Sequence, residues 1–510
     1  MSQFNENNEG SLMRTQAVRT YKDAIQALNS LQSNYASIEA IRKLGPDLNK
    51  NELSIREVYE YTRRLGYKPS DFNKLNIIHI TGTKGKGSTC AFTDSILRQY
   101  DIGKVGLFTS PHLKTVRERL RINGNPINEL KFTKYFFEVW DKLSNTESSP
   151  EEFPTLQPSN IVKPMYFKYL TILSFHVFLS EGVDTAIYEV GVGGQYDSTN
   201  IIEKPSVTGI SSLGIDHTFM LGNTIESITW NKTGIFKAGC PAVVSEQVEY
   251  PESIAIVEER AREIGVSHLE FTSADSVPHS IKLGLAGEFQ RQNAALAIRL
   301  AAIHLEKLGE KDLPSEGVLP DKFLDGLANA KWDGRCQIIK NRPGFENVTW
   351  YIDGAHTIES INASSTWFRD EIKDRNTLKV LLFNQQSREN STTLLKNLYN
   401  NLAIANIRFD HAIFSTNVTW SDGNYDPDLV SVNSSKEMVD KLTVQKGLAE
   451  TWNELDLEHN ISSRKHIFHD IETSVNFIKS LTSEYSAIDV FVCGSLHLVG
   501  GFLVVLDNEK

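Results

Sequence analysis

Residues 75–97 read LNIIHITGTKGKGSTCAFTDSIL, which is an apolar run, a glycine-rich turn and an amphipathic stretch in direct succession. The apolar run predicts a buried strand over Leu75–Thr81, and the spacing of Phe92 and Ile96 predicts a helix that begins near Ser88. A strand, a glycine turn and a helix in this order form the βα unit of a parallel sheet. The stretch therefore predicts an α/β fold.

The same alternation of strands and helices recurs along the chain. In the first part, further strands are predicted at Val105–Thr109, Ala186–Val190 and Val207–Ser211, and helices at Tyr21–Leu31, Met165–Ser180 and Gln290–Leu305. A second unit is predicted from strands at Thr349–Ile352, Leu378–Phe383, His411–Ser415 and Asp489–Cys493. Alternating β and α elements are typical of doubly wound domains, with helices on both faces of a parallel sheet.

The length of 510 residues predicts two domains, because a single hydrophobic core stops growing well before this size. We expect a doubly wound α/β domain built on a phosphate-binding loop (P-loop) at residues 1–328, followed by a smaller Rossmann-like α/β domain at residues 329–510. The polar stretch Ser144–Asn160 predicts a surface loop. Gly309–Pro320 is rich in Gly, Pro and charge and predicts the approach to a hinge.

The composition excludes several classes of protein. A formal net charge of -11 and a pI near 5.7 argue against a nucleic-acid partner, because binding to a phosphate backbone leaves a basic footprint. The four cysteines are far apart and lack CxxC spacing, which argues against a zinc site or a disulfide framework. No apolar run has the roughly 18 to 20 residues of a membrane-spanning helix. A cytoplasmic location is expected, and basic residues within 13–22 leave a short leader, and so a mitochondrial pool, open.

A phosphate-binding turn is predicted between the first strand and its helix. It comprises Gly82, Thr83, Lys84, Gly85, Lys86, Gly87, Ser88 and Thr89. Here backbone N–H groups and the helix dipole are able to cradle phosphates, and Lys86 would meet the β- and γ-phosphates. Gly87 separates Lys86 from Ser88, so the turn departs from the GxxxxGK[ST] pattern and does not indicate a generic kinase or GTPase. The alternative is a glycine turn that only packs the helix on the strand.

Six further blocks accompany the turn TGTKGKGST. They are FTSPHLKTVRERLRING at Phe108–Gly124, YEVGVGGQYDSTN at Tyr188–Asn200, LGIDHTFMLG at Leu213–Gly222, WNKTGIFKAG at Trp230–Gly239, WDGRCQ at Trp332–Gln337 and YIDGAHT at Tyr351–Thr357. The turn resembles that of the Mur ligase superfamily, and the blocks narrow the resemblance to the folylpolyglutamate synthases, in whose order they run across most of the chain. The resemblance implies a Mur-ligase-like P-loop domain followed by the smaller domain.

The resemblance also implies a reaction. ATP would phosphorylate the terminal carboxylate of a reduced folate, and the amine of L-glutamate would displace phosphate to give a γ-linked product. This order is physically reasonable, because a carboxylate is a poor electrophile until one oxygen becomes a phosphate leaving group. Metal ions and lysines best offset the charge on the transferred phosphoryl group. The implied cofactors are ATP, Mg²⁺ and a monovalent cation, K⁺. The implied partners are reduced folates and L-glutamate, and the implied oligomeric state of the protein is a monomer.

In the first domain, the resemblance implies catalytic roles for Lys86 and Lys232 and makes Ser110, Glu189 and His217 magnesium ligands. Lys232 matches a lysine that relatives carry as a carbamate. Taken alone, Glu189 would be interpreted as a solvated carboxylate, and His217 would equally be a hydrogen-bonded structural histidine. For Lys232, an unmodified lysine in an ion pair remains the alternative. Glu189 does end an apolar strand, where ligands of doubly wound sheets bind.

In the second domain, the resemblance implies that Arg335 and Asp353 contact ATP and that His356, from the same DGAHT block, takes part in catalysis. Gln290 and Asn293 in GEFQRQNAA resemble the nucleotide-side residues of the family, although helix capping explains them equally well. Because ATP contacts would come from both domains, domain closure is expected to assemble the site.

The residues that bind folate are identified less clearly by the sequence. The resemblance places Thr109, Pro111, His112, Arg117, Arg119 and Arg121 near the pteroate group or its glutamate tail. The three arginines occupy alternate positions, which is equally typical of one face of an exposed strand, and we expect at least one of them in a salt-bridged surface. The block GSLHLVGG at Gly494–Gly501 is explained by a tight turn that packs the last strand.

Three alternatives to this function remain open. A dihydrofolate synthase, or a bifunctional enzyme, would add the first glutamate to dihydropteroate with the same fold and chemistry. A nucleotide-binding regulatory protein without catalysis would be expected to lack phosphate or metal residues, which this chain retains. An enzyme that stops at the acyl phosphate would release phosphate independently of glutamate.

Overall fold

The computed structural model describes residues 19–32, 48–315, 317–386, 391–430 and 436–507. These residues form two α/β units, each built on its own sheet. Residues 13–18, which begin the segment considered as a leader, lie outside the described residues. None of the helices in the described ranges is long and apolar enough to cross a membrane.

The first unit is built on a sheet with the strand order β4-β3-β2-β5-β1-β6-β7-β8. Its strands are β1 Ile78–Thr81, β2 Val105–Phe108, β3 Leu120–Ile122, β4 Asn125–Pro126, β5 Thr185–Glu189, β6 Val207–Ile210, β7 Pro241–Ser245 and β8 His268–Thr272. Only β3 and β4 run antiparallel to their neighbours. β1 lies near the middle and all its residues are buried, as expected for a parallel strand covered on both faces.

Helices cover both faces of this sheet. They are α1 Tyr21–Asn29, α2 Leu48–Leu65, α3 Lys86–Leu97, α4 Glu129–Ser144, α5 Tyr166–Glu181, α6 Thr218–Leu221, α7 Ile225–Thr233, α8 Ser253–Ile264, α9 Gln290–Lys307 and α10 Asp321–Asn329. On one face, α3, α9 and α10 pack against Ile78 and Ile80 of β1. On the other face, α4 and α5 supply aromatic rings, and Phe175 stacks on Tyr188 with ring centroids 4.7 Å apart.

The second unit is built on a sheet with the strand order β13-β12-β11-β14-β10-β9. Its strands are β9 Gln337–Ile339, β10 Val348–Ile352, β11 Leu378–Phe383, β12 His411–Ser415, β13 Arg464–Phe468 and β14 Ile488–Cys493. Its helices are α11 Ile358–Glu371, α12 Ser391–Ile404, α13 Lys436–Asp440, α14 Thr443–Glu458, α15 Ile471–Leu481 and α16 Leu496–Asp507. β9 is antiparallel to β10 and the other neighbours are parallel.

The strands predicted from sequence are present, and β11 and β12 have the predicted bounds. β1 begins at Ile78 rather than Leu75, because Pro69–Leu75 form a 3₁₀ helix that ends in front of the strand. The strands that the sequence did not reveal include β8 and β13, which lie at sheet edges and are largely exposed or half-buried. Edge strands of this kind lack the continuous apolar run by which buried strands are recognised.

The stretch Gly309–Pro320 leads into α10, the last helix of the first unit, and the hinge that it was expected to approach stays a prediction. The carbonyl of Asp312 accepts a hydrogen bond from the Tyr100 hydroxyl at 2.6 Å. The helix that follows, α10, packs on α3 so closely that a Cβ on Gly326 would lie 2.6 Å from the Ile96 Cα. The described chain changes sheets only between α10 and β9. The domain limits 1–328 and 329–510 stay a prediction.

Candidate functional site

The glycine turn after β1 has the backbone geometry of a phosphate-binding loop. Gly82 and Gly85 have φ values of 150° and 81°, a region that residues with a Cβ rarely adopt. A Cβ on Gly85 would also collide with the Oδ1 atom of Asn293. The N–H groups of Thr83 and Lys84 both donate to the Ser212 carbonyl, at 2.8 and 3.1 Å, which braces the turn against the segment after β6. Helix α3 then begins at Lys86 with its N-terminal N–H groups at the turn.

Two lysines converge on this turn. The Nζ atoms of Lys86 and Lys232 donate to the same acceptor, the Gly82 carbonyl, at 2.9 and 2.8 Å. Lys84 forms a longer ion pair with Asp216 at 3.5 Å. Lys232 is buried, and the pKa of its ammonium is lowered well below the ordinary 10.5, first because burial removes water from the charge and second because Lys86 repels it. The ion-pair interpretation of Lys232 is not supported, since a backbone carbonyl accepts its amine.

The carboxylate of Glu189 lies at the end of β5, beside the turn. It is buried, with 4% of its surface exposed, so the interpretation as a solvated carboxylate is wrong. Its Oε2 atom accepts the Ser110 N–H at 2.8 Å. Burial raises the pKa of Glu189, and the positive charges of Lys86, Arg335 and Arg119 oppose that rise. A buried carboxyl group that interacts with three positive charges therefore lies at the edge of the sheet.

His217 reaches the same edge of the sheet by another route. It precedes α6 with a left-handed backbone, φ 51°, and its N–H donates to Asp216, the partner of Lys84. This contact does not by itself join its ring to Ser110 and Glu189. Among the described residues, no group of three or more His, Cys, Asp or Glu side chains is arranged to hold a metal ion. A hydroxyl and a buried carboxylate do fit a hard cation such as Mg²⁺.

Gln290 and Asn293 contact the phosphate turn from α9. Gln290 Nε2 donates to the Ser88 hydroxyl at 3.2 Å, and Asn293 Nδ2 donates to Gln290 Oε1 at 2.8 Å. The residue before α9 is Phe289, and no side chain caps the helix. The capping interpretation is therefore wrong. Both amides are almost fully buried.

The residues predicted in the second domain lie at the carboxyl end of β10. The buried carboxylate of Asp353 accepts the N–H groups of Cys336 and Ala355, at 2.8 and 2.9 Å. The positive charge of Arg335 opposes the rise in pKa that burial causes for both Asp353 and Glu189. His356 carries its proton on Nδ1, because this atom contacts the Gly354 carbonyl, which is able only to accept, at 2.8 Å. Asp353 thus shapes the loop that presents Arg335.

The three arginines of the predicted folate segment do not share one face of an exposed strand. Arg117 and Arg119 belong to a 3₁₀ helix, Val116–Arg119, and Arg121 to β3. Arg119 is buried, donates from Nε to His112 Nδ1 at 2.9 Å and lies over the Tyr166 ring. Arg121 lies over the Trp332 ring at 5.4 Å.

The remaining residues of this segment form an ion pair and backbone contacts or are exposed. Arg117 does form the expected ion pair, with Glu129 at 3.8 Å. The N–H of Thr109, which follows β2, donates to the Arg119 carbonyl at 3.2 Å. Pro111 is exposed and follows a cis peptide bond. The segment therefore has one buried arginine, and this burial distinguishes Arg119 from the other two.

Two acidic residues support the site but were not selected from the sequence. Asp197, from the block YEVGVGGQYDSTN, accepts the N–H groups of Gly191 and Val192, each at 3.1 Å. Asp216, from the block LGIDHTFMLG, pairs with Lys84. Both residues lie within blocks that the resemblance had already marked, so position within those blocks was the available signal.

Comparison with known proteins finds relatives that match nearly the whole chain. A family profile described as "Dihydrofolate synthetase, C-terminal domain" matches residues 338–505. A folylpolyglutamate synthase from Candida albicans is 64% identical over 521 residues, which covers 99% of this chain and 100% of that protein. A folylpolyglutamate synthase from Saccharomyces cerevisiae (strain FostersO) is 53% identical over 496 residues, covering 96% of this chain and 87% of that protein.

Solved structures of similar fold cover nearly the whole chain. "E.coli FolC in complex with DHPP and ADP" superimposes with a TM-score of 0.68 at 21% identity, covering 96% of this chain and 99% of that one. A Mycobacterium tuberculosis folylpolyglutamate synthase complexed with ADP and AMPPCP superimposes with a TM-score of 0.66 at 22% identity, covering 95% and 99%. The expected Mur-ligase-like α/β fold, with a doubly wound domain followed by a Rossmann-like one, is confirmed.

Proposed function

The chain belongs to the folylpolyglutamate synthase family, and we propose that it is an ATP-dependent ligase that adds L-glutamate, through a γ-linkage, to tetrahydrofolate or its polyglutamates. The products are the lengthened folate, ADP and phosphate. The observation that carries this proposal is the convergence of Lys86 and Lys232 on the Gly82 carbonyl, at the start of a helix and beside buried Glu189.

Each group of the turn suits one part of the phosphoryl transfer. The backbone of Gly82–Thr89 and the dipole of α3 bind the phosphates of ATP. Lys86 neutralises charge on the β- and γ-phosphates, because a fixed cation stabilises a phosphoryl group whose charge grows in the transition state. Gln290 and Asn293 hold the nucleotide side of the turn. Attack of the folate carboxylate on the γ-phosphorus breaks its bond to the β,γ-bridging oxygen and releases ADP.

The second step joins glutamate to the acyl phosphate. The amine of L-glutamate attacks the acyl carbon, the C–O bond to phosphate breaks, and the amine loses its proton. Arg335 and His356 belong to the second unit and lie at the carboxyl end of β10, where they would contact ATP and glutamate. Ligands of open α/β sheets bind outside the carboxyl ends of the strands, and the domain closure expected from the sequence would bring both halves onto the substrates.

Ser110, Glu189 and His217 are the residues that would hold Mg²⁺. When bound, the ion offsets negative charge on the transferring phosphoryl group. The three cations near Glu189 would then share its charge with the metal. K⁺ is retained as a proposal from family resemblance, without assigned residues. A monomer in the cytoplasm, with a mitochondrial pool, also stays a proposal.

Lys232 is proposed to act as a carbamate. Its lowered pKa leaves more of the amine neutral and nucleophilic near pH 7 than an ordinary lysine has. The Nζ atom attacks CO₂, a C–N bond forms, and a proton leaves to water, so that a cation becomes an anion able to face a metal. The carbamate would exchange the contact of Nζ with Gly82 for contacts with cations.

Replacing Lys232 with alanine is expected to lower the rate of ligation by about a hundredfold, as for other charged groups that stabilise the transition state. Acetate or formate should restore part of the rate, since a short carboxylate fits the space left by the carbamate. The measurement is initial rate against carboxylate concentration. Lys237→Ala is the matched control, because the pKa of Lys237 is also lowered, to about 8, but its Nζ donates to Asn200 away from the turn. Equal stimulation of both variants, or of neither, would contradict the carbamate.

The function is tested by mass detection of the product and by phosphate release, with ATP, Mg²⁺ and L-glutamate present. We expect tetrahydrofolate to gain one or more glutamates. Product from dihydropteroate would indicate a dihydrofolate synthase or a bifunctional enzyme, an alternative that the description of the family profile at residues 338–505 makes worth testing. Phosphate release that does not need glutamate would indicate an enzyme that stops at the acyl phosphate, and no release would indicate a regulatory protein.

A further inference from the structure

Asp428 of the second unit binds the first unit at three points. It lies in a 3₁₀ helix, Pro427–Leu429. Its Oδ1 atom accepts from the Tyr21 hydroxyl at 2.8 Å, the Thr115 hydroxyl at 3.1 Å and the Val116 N–H at 2.7 Å. Tyr21 begins α1, whereas Thr115 and Val116 follow the predicted folate segment. A single carboxylate oxygen therefore joins two separate parts of the first unit to the second.

The backbone of Asp428 makes a fourth contact. Its carbonyl lies 2.8 Å from His112 Nε2, and a carbonyl is able only to accept, so Nε2 carries the proton. The other ring nitrogen, Nδ1, is then an acceptor, and it receives the Arg119 Nε–H at 2.9 Å. Asp428 thereby sets the tautomer by which His112 holds Arg119.

Arg119 is joined to the candidate magnesium ligand through the backbone of the segment after β2. Arg119 is buried, and its carbonyl accepts the N–H of Thr109, the residue before Ser110, at 3.2 Å. Glu189 accepts the N–H of Ser110, the other candidate ligand in this segment. A path of hydrogen bonds therefore runs from Asp428 through His112 and Arg119 to Thr109, and from the adjacent Ser110 to Glu189.

The position of Asp428 is itself well defined. Its N–H donates to Asp426 Oδ1 at 3.0 Å. The next residue, Leu429, is buried with Trp420 and Val504 in a small apolar cluster of the second unit. On the opposite side, Leu113 packs into the core of the second unit, and a Cβ on Gly500 would collide with its carbonyl. The segment 110–119 is thus seated on the second unit at several neighbouring points.

We propose that Asp428 is a positioning residue for the ligase reaction, and that it acts through His112 and Arg119 to hold Glu189 in place when the two units meet. This inference rests on the proposed function, because its main readout is turnover. In this proposal, Asp428 of the second unit aligns the carboxylate of Glu189 in the first unit. The coupling is structural, since each step is a hydrogen bond or the peptide link between Thr109 and Ser110.

The test compares Asp428→Ala in two backgrounds, with the wild-type rate on tetrahydrofolate measured first. Alanine keeps the backbone carbonyl but loses the three side-chain hydrogen bonds that hold this carbonyl against His112, so we expect Asp428→Ala to lower kcat about tenfold in the otherwise unchanged protein. In a His112→Ala background, the same change should alter kcat less than about twofold, because the path through His112 is already broken. Double-mutant cycles of this kind isolate coupling between residues that act together. Asp428→Asn retains an amide oxygen that accepts from the same donors, and it should restore most of kcat.

Lys114→Ala is the matched control. Lys114 belongs to the same segment and pairs with Asp507 of the second unit at 2.8 Å, but it lies outside the path through His112. An equal loss in Lys114→Ala and Asp428→Ala would indicate general adhesion between the units and would overturn the proposal, as would an Asp428 effect that persists undiminished without His112. An inactive wild-type protein would instead count against the proposed function.

Should Asp428→Ala fail to fold, as judged by its thermal unfolding, the double variant Tyr21→Phe with Thr115→Val removes two of the three donors to Oδ1 and leaves Asp428 in place. This variant should lower kcat about threefold to tenfold with an unchanged melting temperature. An unchanged kcat in that variant would overturn the proposal.

Discussion

Replacing Lys86 with alanine is expected to lower kcat by about a hundredfold to a thousandfold, the range found when a single donor to a transition-state charge is removed. Lys86 is the first residue of α3, and its Nζ lies 2.9 Å from the Gly82 carbonyl and 3.4 Å from that of Thr83. It therefore extends over the turn, where it would meet the phosphates. Its loss removes a fixed charge from the phosphoryl group at the moment its own charge grows. The measurement is steady-state phosphate release with saturating folate and glutamate.

The fold should survive the change, because Lys86 makes its contacts with carbonyls of the turn rather than with the core. Lys104→Ala is the matched control: this exposed lysine also donates to a backbone carbonyl, that of Glu181, in the same unit but away from the turn. We expect Lys104→Ala to keep nearly full activity. A Lys86→Ala enzyme with near-normal kcat and unchanged melting temperature would remove Lys86 from the mechanism.

Replacing Glu189 with glutamine is expected to lower kcat/KM for ATP by about a hundredfold, a loss of about 2.7 kcal/mol in transition-state stabilisation. Glutamine has nearly the same shape, and its amide oxygen is able to keep the hydrogen bond from the Ser110 N–H. The change therefore removes chiefly the negative charge. Without that charge, Lys86, Arg335 and Arg119 lose the anion with which their positive charges interact, and a hard metal ion loses its one carboxylate among the proposed ligands.

Magnesium titration separates these two consequences. If Glu189 binds the ion, the glutamine variant should need at least about tenfold more Mg²⁺ for half-maximal activity, since a charged oxygen ligand has become a neutral one. Glu181→Gln is the control, because Glu181 is a carboxylate of the same unit that pairs with Lys131, at 2.7 Å, outside the site. A lower kcat with an unchanged magnesium requirement would assign Glu189 to balancing the three cations and not to the metal.

Lys86 and Glu189 could be selected from the sequence because both are marked by local features. A glycine turn between an apolar strand and a helix predicts a phosphate site because the geometry depends on neighbouring residues alone. The end of an apolar strand likewise marks the functional edge of a parallel sheet. Both inferences use contacts within about ten residues, and the structure has the turn and Glu189 in the expected positions.

The segment from Ser110 to Arg121 illustrates where local reasoning ends. Arginines at alternate positions suggested an exposed strand, but a 3₁₀ helix interrupts the spacing, and Arg119 is buried. Its burial depends on His112 and Tyr166 and on the second unit, none of which the spacing of arginines can reveal. In the same way, Gln290 and Asn293 could be separated from helix caps only when their contacts with Ser88 and Gly85 were known.

The sequence by itself determined the α/β class, the phosphate turn at Gly82–Thr89 and the family, because these depend on short-range pattern and on the order of motifs. The tertiary structure decided which charged groups interact with distant parts of the chain. The Lys232 amine binds the Gly82 carbonyl, the Arg335 charge acts on Glu189, and the Asp428 carboxylate binds Tyr21, Thr115 and Val116. Each of these pairs is separated by many residues, and Asp428 and Tyr21 are 407 apart along the chain. Such contacts arise from the packing of the two units and from the burial of charge, which no local pattern of residues encodes.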